Sequence, residues 1–410
     1  MYEKTLAALH IDALRPFQES ALDALTEGRD ALILMPTSAG KSVIFQGLAI
    51  ETEKLVLVIE PHLALELDQV AGLRDKGVAA AYLNSLQSAK EQQQVLADIE
   101  QGKLRLLYLT PEMLQNANVQ QALLAADLAG VMVDEAHCVC KQGPGFREAY
   151  LQIANFIGKL PHRPPVGAFT ATATQSTEQY IVKHLGMDDP VVIRGPVTRD
   201  NITLRVLPIS ETLGGIKDAD LIEYHKREII RKRLKHTTNG RVIIYTNTIK
   251  RVKALYKHLR KHGFAVGYYH GKCKHKPRRL RRFREGKTRI MVATNAFGLG
   301  VDIPDIRLVI HHAPLIGLDD YLQEVGRAGR DGKKAEALLL WHPYDFTINR
   351  NLIQKNRLDL TGRELRDRLD ALDALEKYAK DTQSCRWRLI RKFFGEKNGK
   401  RCKKRCDNCK

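Results

Sequence analysis

The chain has 410 residues, 44% of them hydrophobic, with 66 Lys and Arg against 47 Asp and Glu and a formal net charge of +19. That length exceeds what a single hydrophobic core usually serves, so two or three domains are expected. No uncharged apolar run approaches the roughly 20 residues of a membrane span and the start, MYEKTLAALH, lacks a signal-peptide core, so a soluble intracellular protein with no membrane partner is expected.

The charge is unevenly placed. Residues 1–194 hold 16 Lys and Arg against 23 Asp and Glu, a balance of −7, whereas residues 195–410 hold 50 against 24, a balance of +26. Clustered cations release condensed counterions from phosphates, so a polyanion is expected to dock mainly on the second half. Seven cysteines are an odd count in a chain with no secretory signal, which argues against a disulfide framework.

Along the chain, short apolar runs bounded by turn residues alternate with segments of helical period, the pattern of parallel sheets covered by helices. In the first half, strands are expected at 31–35, 55–59, 104–109, 130–133 and 166–170. In the second half they are expected at 242–245, 266–269, 290–293, 308–312 and 337–341. Each half therefore reads as a doubly wound α/β unit. The pattern breaks around Gly195, Pro196 and Asp200, a helical and very basic segment follows within 211–240, and strand signals vanish from about 346. The expected domains are 1–196, 197–345 and a small helical module over 346–410.

The segment Ala31–Ser42, ALILMPTSAGKS, is a buried-strand pattern, a tight turn and a helix start. A P-loop of this kind aims backbone N–H groups and a helix N-terminus at phosphates. Thr37, Ser38, Ala39 and Gly40 form its turn, Lys41 is expected at the terminal phosphates and Ser42 at Mg²⁺. Met35 stands where a strict motif has its first Gly. Downstream, the apolar run ending at Val133 leads into Asp134-Glu135-Ala136-His137. One carboxylate at a neighbouring strand end can hold Mg²⁺ and the next can polarise an attacking water, the roles expected of Asp134 and Glu135. A solvated Asp-Glu pair is the plain alternative, disfavoured by the P-loop upstream.

Thr170-Ala171-Thr172-Ala173, Asn295–Asp302 (NAFGLGVD) and Gln323–Arg330 (QEVGRAGR) then follow in order. The series resembles a superfamily 2 helicase, an ATP-driven nucleic-acid motor with two RecA-like lobes. In such a motor, arginines of the second lobe stabilise charge on the transferring phosphoryl group only when the lobes close. The resemblance implies Arg330 as arginine finger, Arg327 as its phosphate-contacting neighbour and Gln323 in support, with Gly326 and Gly329 permitting close approach.

Leu14-Arg15-Pro16-Phe17-Gln18 and Asp134–Tyr150, DEAHCVCKQGPGFREAY, are similar to RecQ-family DNA helicases. The resemblance implies Arg15 and Gln18 as adenine contacts, and Phe146, Arg147, Thr172, Asn247, His270 and Thr294 as DNA contacts. It further implies ATP with Mg²⁺, 3′ to 5′ movement on single-stranded DNA, tailed or branched duplex substrates, and monomeric action in a nucleoid or nucleus. Ser38 and Ala39 replace usual glycines, Ile11 replaces an adenine-stacking aromatic, and Gln142, Pro144 and Gly145 replace the usual Trp, His and Asp of the coupling loop. Each base–aromatic stack is worth about 1–3 kcal/mol, so unwinding is less secured by these residues than ATP hydrolysis. A translocating or remodelling ATPase, a binding protein with a vestigial motor and an RNA helicase are the competing readings.

Cys385, Cys402, Cys406 and Cys409 are separated by 16, three and two residues. Four soft thiolates in two sets suit a closed tetrahedral Zn²⁺ site that staples a module too small for its own core. The surrounding residues resemble the RecQ zinc domain, with one extra residue between Cys402 and Cys406. Cys138, Cys140 and Cys273 lack such grouping and read as packing or loop residues. Between Lys226 and Arg289 stand 23 Lys and Arg and two acidic residues, with Lys272–Arg289 at helical spacing as one continuous phosphate-contacting face. His270, His311 and His312 read as strand-end packing or phosphate contacts.

Overall fold

In the first half of the chain, β1 (Ala31–Leu34), β2 (Leu55–Ile59), β3 (Ala80–Leu83), β4 (Leu106–Leu109), β5 (Leu128–Val133), β6 (Val166–Thr170) and β7 (Val191–Arg194) form one sheet in the order β3-β4-β2-β5-β6-β1-β7. The second half contributes β8 (Ile202–Pro208), β9 (Arg241–Tyr245), β10 (Val266–Tyr269), β11 (Ile290–Ala293), β12 (Ile306–His311) and β13 (Ala335–Trp341), ordered β10-β11-β9-β12-β13-β8. Every registered pair in both sheets is parallel. The computed structural model describes residues 2–35, 39–61, 63–140, 146–171, 173, 175–209, 218–298, 303–355, 362–396 and 400–409. It divides into two compact units, Met1–Val197 and Thr198–Lys410. Among the described residues, no helix is long and apolar enough to cross a membrane.

A parallel pair cannot be closed by a two-residue hairpin, so paired strands are joined by crossovers, most of which lay helix against the sheet. Consequently both sheet faces are buried, and alternate residues of one strand serve different cores. Leu57 and Ile59 of β2, with Val131 and Val133 of β5, join a core that includes Tyr150 and Phe156. Val58 and Met132 point the other way, into a core with Phe45 and Phe169. Each such fully buried apolar side chain contributes about 1.5–3 kcal/mol. In the second unit, Val242, Ile244, Val292, Leu308, Ile310 and Leu340 form the corresponding core.

All ten expected strands occur, with ends shifted by no more than two residues, and both units are doubly wound as expected. Three further strands, β3, β7 and β8, were not anticipated, and all three lie at sheet edges. The basic segment Lys272–Arg289 is not one helix. Helix spans Lys276–Arg284 only, and Gly286, at φ +74°, follows its end. Several of its cations are also occupied: Arg279 sits 4.0 Å over the Tyr268 ring and Arg289 Nε donates to the Gly240 carbonyl at 3.0 Å. Lys272, Lys274, Arg278, Arg281, Arg282 and Lys287 remain exposed.

The exposed edge of β8 is covered by the cysteine-bearing tail. Leu204 bridges Cys406 in parallel, the Leu204 N–H donates to the Arg405 carbonyl at 3.1 Å, and the Asp407 N–H donates to the Leu204 carbonyl at 3.1 Å. Trp387, fully buried, donates its indole N–H to the Ile202 carbonyl at 3.2 Å. These contacts satisfy edge groups that would otherwise template association.

Beside the second core, the ammonium of Lys226 in helix Ala219–Lys235 meets both oxygens of Asp345 at 2.9 and 2.7 Å, and both residues are buried. Removing one partner of such a pair leaves an uncompensated charge, at a cost of about 3–5 kcal/mol. Asp345→Ala is therefore expected to lower the unfolding free energy of the second unit by that amount, read as a lower denaturant midpoint at unchanged slope, with Lys226→Met/Asp345→Leu recovering most of it. Equal midpoints for Asp345→Ala and the unaltered protein would refute this role.

Candidate functional site

β1 ends beside β6, where the Met35 N–H donates to the Thr170 carbonyl at 2.8 Å. Thr37 and Ser38 lie outside the described residues. Beyond them Gly40 enters helix Lys41–Thr52 at φ 80°, and a Cβ there would stand 2.7 Å from Gln18 Nε2. Gly40 is thus required both by its left-handed backbone and by the close approach of Gln18. The Gln18 amide donates to the Ala39 and Gly40 carbonyls at 3.2 and 2.9 Å, while Arg15 Nη1 donates to Ala39 at 3.0 Å. Both residues expected at the adenine are here bonded to the Ala39 and Gly40 carbonyls, just ahead of that helix. Ile11 packs against the adjoining core.

The helix start brings Lys41 onto the end of β5. Lys41 Nζ donates to Asp134 Oδ1 at 2.7 Å and lies 3.8 Å from Glu135 Oε1, with all three side chains buried. Burial alone would lower the Lys41 pKa, but Asp134 and Glu135 outweigh it and hold the ammonium above the ordinary lysine range. Ser42 occupies the next position of the same helix, half-buried. Glu135 has φ 47°, uncommon for a non-glycine residue, and its own N–H is held by Asp134 Oδ1 at 2.8 Å.

Three participants here were not anticipated. His137 Nδ1 stands 3.3 Å from Glu135 Oε2 and 3.1 Å from Thr170 Oγ1, joining the carboxylates to the end of β6. Tyr150 donates to the Asp134 carbonyl at 3.4 Å. Glu60, buried just past β2, adds a further negative charge acting on Lys41. The letter H of DEAH was a signal for the first; a lone Glu or Tyr after an apolar run carries none. Thr172 lies outside the described residues, as do 141–145, and Phe146 and Arg147 open the helix Phe146–Ile157.

In the second unit the expected residues gather at the C-terminal ends of the parallel strands, where ligands of α/β sheets bind. Asn247 follows β9, His270 follows β10 and Thr294 follows β11. The Asn247 amide donates to the Pro314 carbonyl at 3.1 Å, leaving its Oδ1 buried without a hydrogen-bond partner. Both His270 ring nitrogens are likewise buried and unpartnered, and burial lowers its pKa. Gln323 lies in helix Leu318–Val325; Arg327 and Arg330 follow that helix. Arg327 is buried, and Gly298 leaves room for its Nη2, which a Cβ there would meet at 2.6 Å. Gly329, at φ +55°, admits Asn201 Nδ2 to within 2.5 Å of where a Cβ would stand. Gly326 has φ −60°, open to any residue, so only Gly329 of the expected pair needs to be glycine for its backbone. His311 and His312 are buried against Glu324 and Glu223 at 2.8 and 3.3 Å.

In the tail, the four sulfurs of Cys385, Cys402, Cys406 and Cys409 all lie within 4.8 Å of one another, with Cys402 and Cys406 at 3.5 Å. A tetrahedron with Zn–S bonds of about 2.3 Å has edges of about 3.8 Å, so the donor set fits Zn²⁺. Arg386 anchors the arrangement: its N–H faces Cys406 Sγ at 3.4 Å and its Nε donates to Asp407 Oδ1 at 3.0 Å. Cys138 and Cys273 are free cysteines outside this cluster.

The family profile of the DEAD/DEAH box helicase matches residues 15–180, the helicase conserved C-terminal domain 225–332, and RecQ zinc-binding 343–410. The ATP-dependent DNA helicase RecQ of Synechocystis is 38% identical over 336 residues, covering 80% of this chain and 68% of that protein. The chain belongs to the RecQ family. RecQ of Bacillus subtilis is 33% identical over 401 residues, 97% of this chain but 65% of the relative, so the chain spans less than two thirds of that RecQ protein. Among solved structures, S. cerevisiae Dbp5 bound to RNA and ADP BeF3 shares the fold at a TM-score of 0.66 and 19% identity, covering 90% of this chain and 97% of that one. Mycobacterium smegmatis helicase Lhr bound to ssDNA and AMP-PNP gives 0.67 and 20%, covering 87% and 50%. The two sheets are therefore RecA-like lobes, followed by a RecQ zinc module.

Because the zinc ligands lie against β8, metal loss should loosen that strand as well as the tail. Cys402→Ser is expected to remove the zinc that survives desalting, measured by atomic emission, and to raise amide exchange in β8 and around Trp387. Loss of zinc with unchanged exchange in β8 would contradict the coupling.

Proposed function

We propose that the chain is an ATP-driven motor that moves 3′ to 5′ along single-stranded DNA and separates tailed or branched duplexes. The observation that carries this reading is the buried cluster of Lys41, Asp134 and Glu135 at the mouth of the P-loop. Residues 1–196 and 197–345 would act as the two motor lobes and 346–410 as the zinc-stapled DNA-binding module, working as a monomer on chromosomal DNA in a nucleoid or nucleus.

Lys41 and Asp134 neutralise each other at 2.7 Å. Nucleotide entry would exchange this pair: Lys41 would turn onto the terminal phosphates, with Thr37, Ser38, Ala39 and Gly40 also contacting them, and Asp134 would be released. Ser42 and Asp134 would hold Mg²⁺, which when bound neutralises charge on the phosphate oxygens. Glu135 would accept the proton of the attacking water, with His137 orienting its carboxylate and passing the state of the site to Thr170 and the Thr172 segment. Arg330 would supply charge to the transferring phosphoryl group, Arg327 and Gln323 would support it, and Arg15 with Gln18 would sense the adenine and relay it through their bonds to the Ala39 and Gly40 carbonyls. Phe146, Arg147, Thr172, Asn247, His270 and Thr294 would contact DNA. The unpartnered ring nitrogens of His270, one of which carries a proton, support donation to a phosphate there, and the unpartnered Asn247 Oδ1 supports accepting from a base N–H.

A second reading, translocation or removal of bound proteins without efficient strand separation, is favoured by Gln142, Pro144 and Gly145 in the coupling loop. Single-turnover assays on duplexes with 3′ or 5′ tails, with and without a bound protein block, separate the two. Strand separation from 3′ tails, absent in Lys41→Ala, is the expected result. Separation from 5′ tails alone would refute the polarity, and block removal without strand separation would establish the second reading.

A further inference from the structure

A second group of metal-ligand side chains stands in the second unit, apart from the cysteine tail. Helix Ile249–Lys261 carries His258 near its end and is capped by His262, so the two rings rise from one face with centroids 4.5 Å apart. Glu228 reaches them from helix Ala219–Lys235, with Oε1 3.2 Å from His258 Nε2. One donor atom from each residue lies within 4.8 Å of the others. Adjacent donors around a tetrahedral ion with bonds of about 2.0–2.1 Å are about 3.3 Å apart, a separation that small side-chain rotations reach.

The protonation pattern suits a metal. His262 Nδ1 is 2.8 Å from the His258 carbonyl, which can only accept, so Nδ1 carries the proton and the Nε2 lone pair is free. A backbone carbonyl holding one imidazole nitrogen is the usual outer support of a ligating histidine. His258 Nε2 is buried and, although near Glu228, is not aligned to hydrogen-bond with it. Opposing this, Arg231 donates to Glu228 Oε2 at 3.0 and 2.7 Å, and Arg227 and Arg231 both place positive charge near His258.

We propose that Glu228, His258 and His262 form a metal site for a divalent ion of the zinc, nickel or copper class, clipping the two helices together. Two imidazoles and one carboxylate leave coordination positions to water, and the histidine spacing of four residues is the one helices use to offer two ligands to one ion. Arg231 competes with the ion for Glu228 and so limits the affinity.

Nickel titration calorimetry on the full chain, with zinc retained by the cysteines, tests this. One Ni²⁺ per chain is expected. His262→Ala, at an exposed position outside the motor site, should weaken binding roughly tenfold or more with the ATPase unchanged. Arg231→Gln, which frees Glu228, should tighten it, a change that a merely structural role for Arg231 does not produce. No Ni²⁺ bound by the unaltered protein, or the same stoichiometry and affinity in both variants, would overturn the site.

Discussion

Parallel pairing is the constraint from which the rest of this structure follows. Because no strand can turn directly back on its neighbour, most are followed by a helix laid over the sheet, and the loops that leave the strands open on a common edge. Both faces are thereby spent on packing, and chemistry is left to that edge. Lys41 follows β1, Asp134 follows β5 and Thr170 ends β6; in the other unit Asn247, His270 and Thr294 follow β9, β10 and β11. Residues more than a hundred positions apart become neighbours without any one of them being placed individually.

At that edge the first unit holds charge that its interior could not tolerate unpaired. The Lys41 ammonium and the Asp134 carboxylate are both buried, and each makes the other's burial tolerable. Glu135, Glu60 and His137 extend the cluster, and the left-handed backbone of Glu135 is kept by its bond to Asp134. A local backbone cost of about 1–3 kcal/mol is characteristic of sites where geometry serves something other than stability. On the proposed function, a polyanion would take Lys41 from Asp134.

Legibility in the sequence followed burial. Central strands such as β2 and β9 are buried on both faces and read as unbroken apolar runs. The three strands that escaped notice are edge strands: β7 is half exposed, β3 is alanine-rich, and β8 alternates Ile202, Leu204 and Val206 with more exposed residues. The P-loop, the DEAH segment and the cysteine intervals were legible because phosphate and zinc chemistry fix residue type and local spacing. The Lys41–Asp134 pair spans 93 residues, and the partners of Gln18 and His137 depend equally on the fold, so no local pattern announced them. The helix expected over Lys272–Arg289 was cut short by backbone punctuation, with His275 left-handed at its start and Gly286 left-handed beyond its end.

On the proposed function, this buried cluster is a working engine geared to DNA. Steady-state ATP hydrolysis by the unaltered protein and by Glu135→Gln, each with and without single-stranded DNA, tests it most directly. Hydrolysis that DNA strongly stimulates, and that the substitution abolishes while DNA binding persists, is the expected result. Tight DNA binding with no hydrolysis in the unaltered protein would contradict it, leaving a basic binding protein on a motor fold.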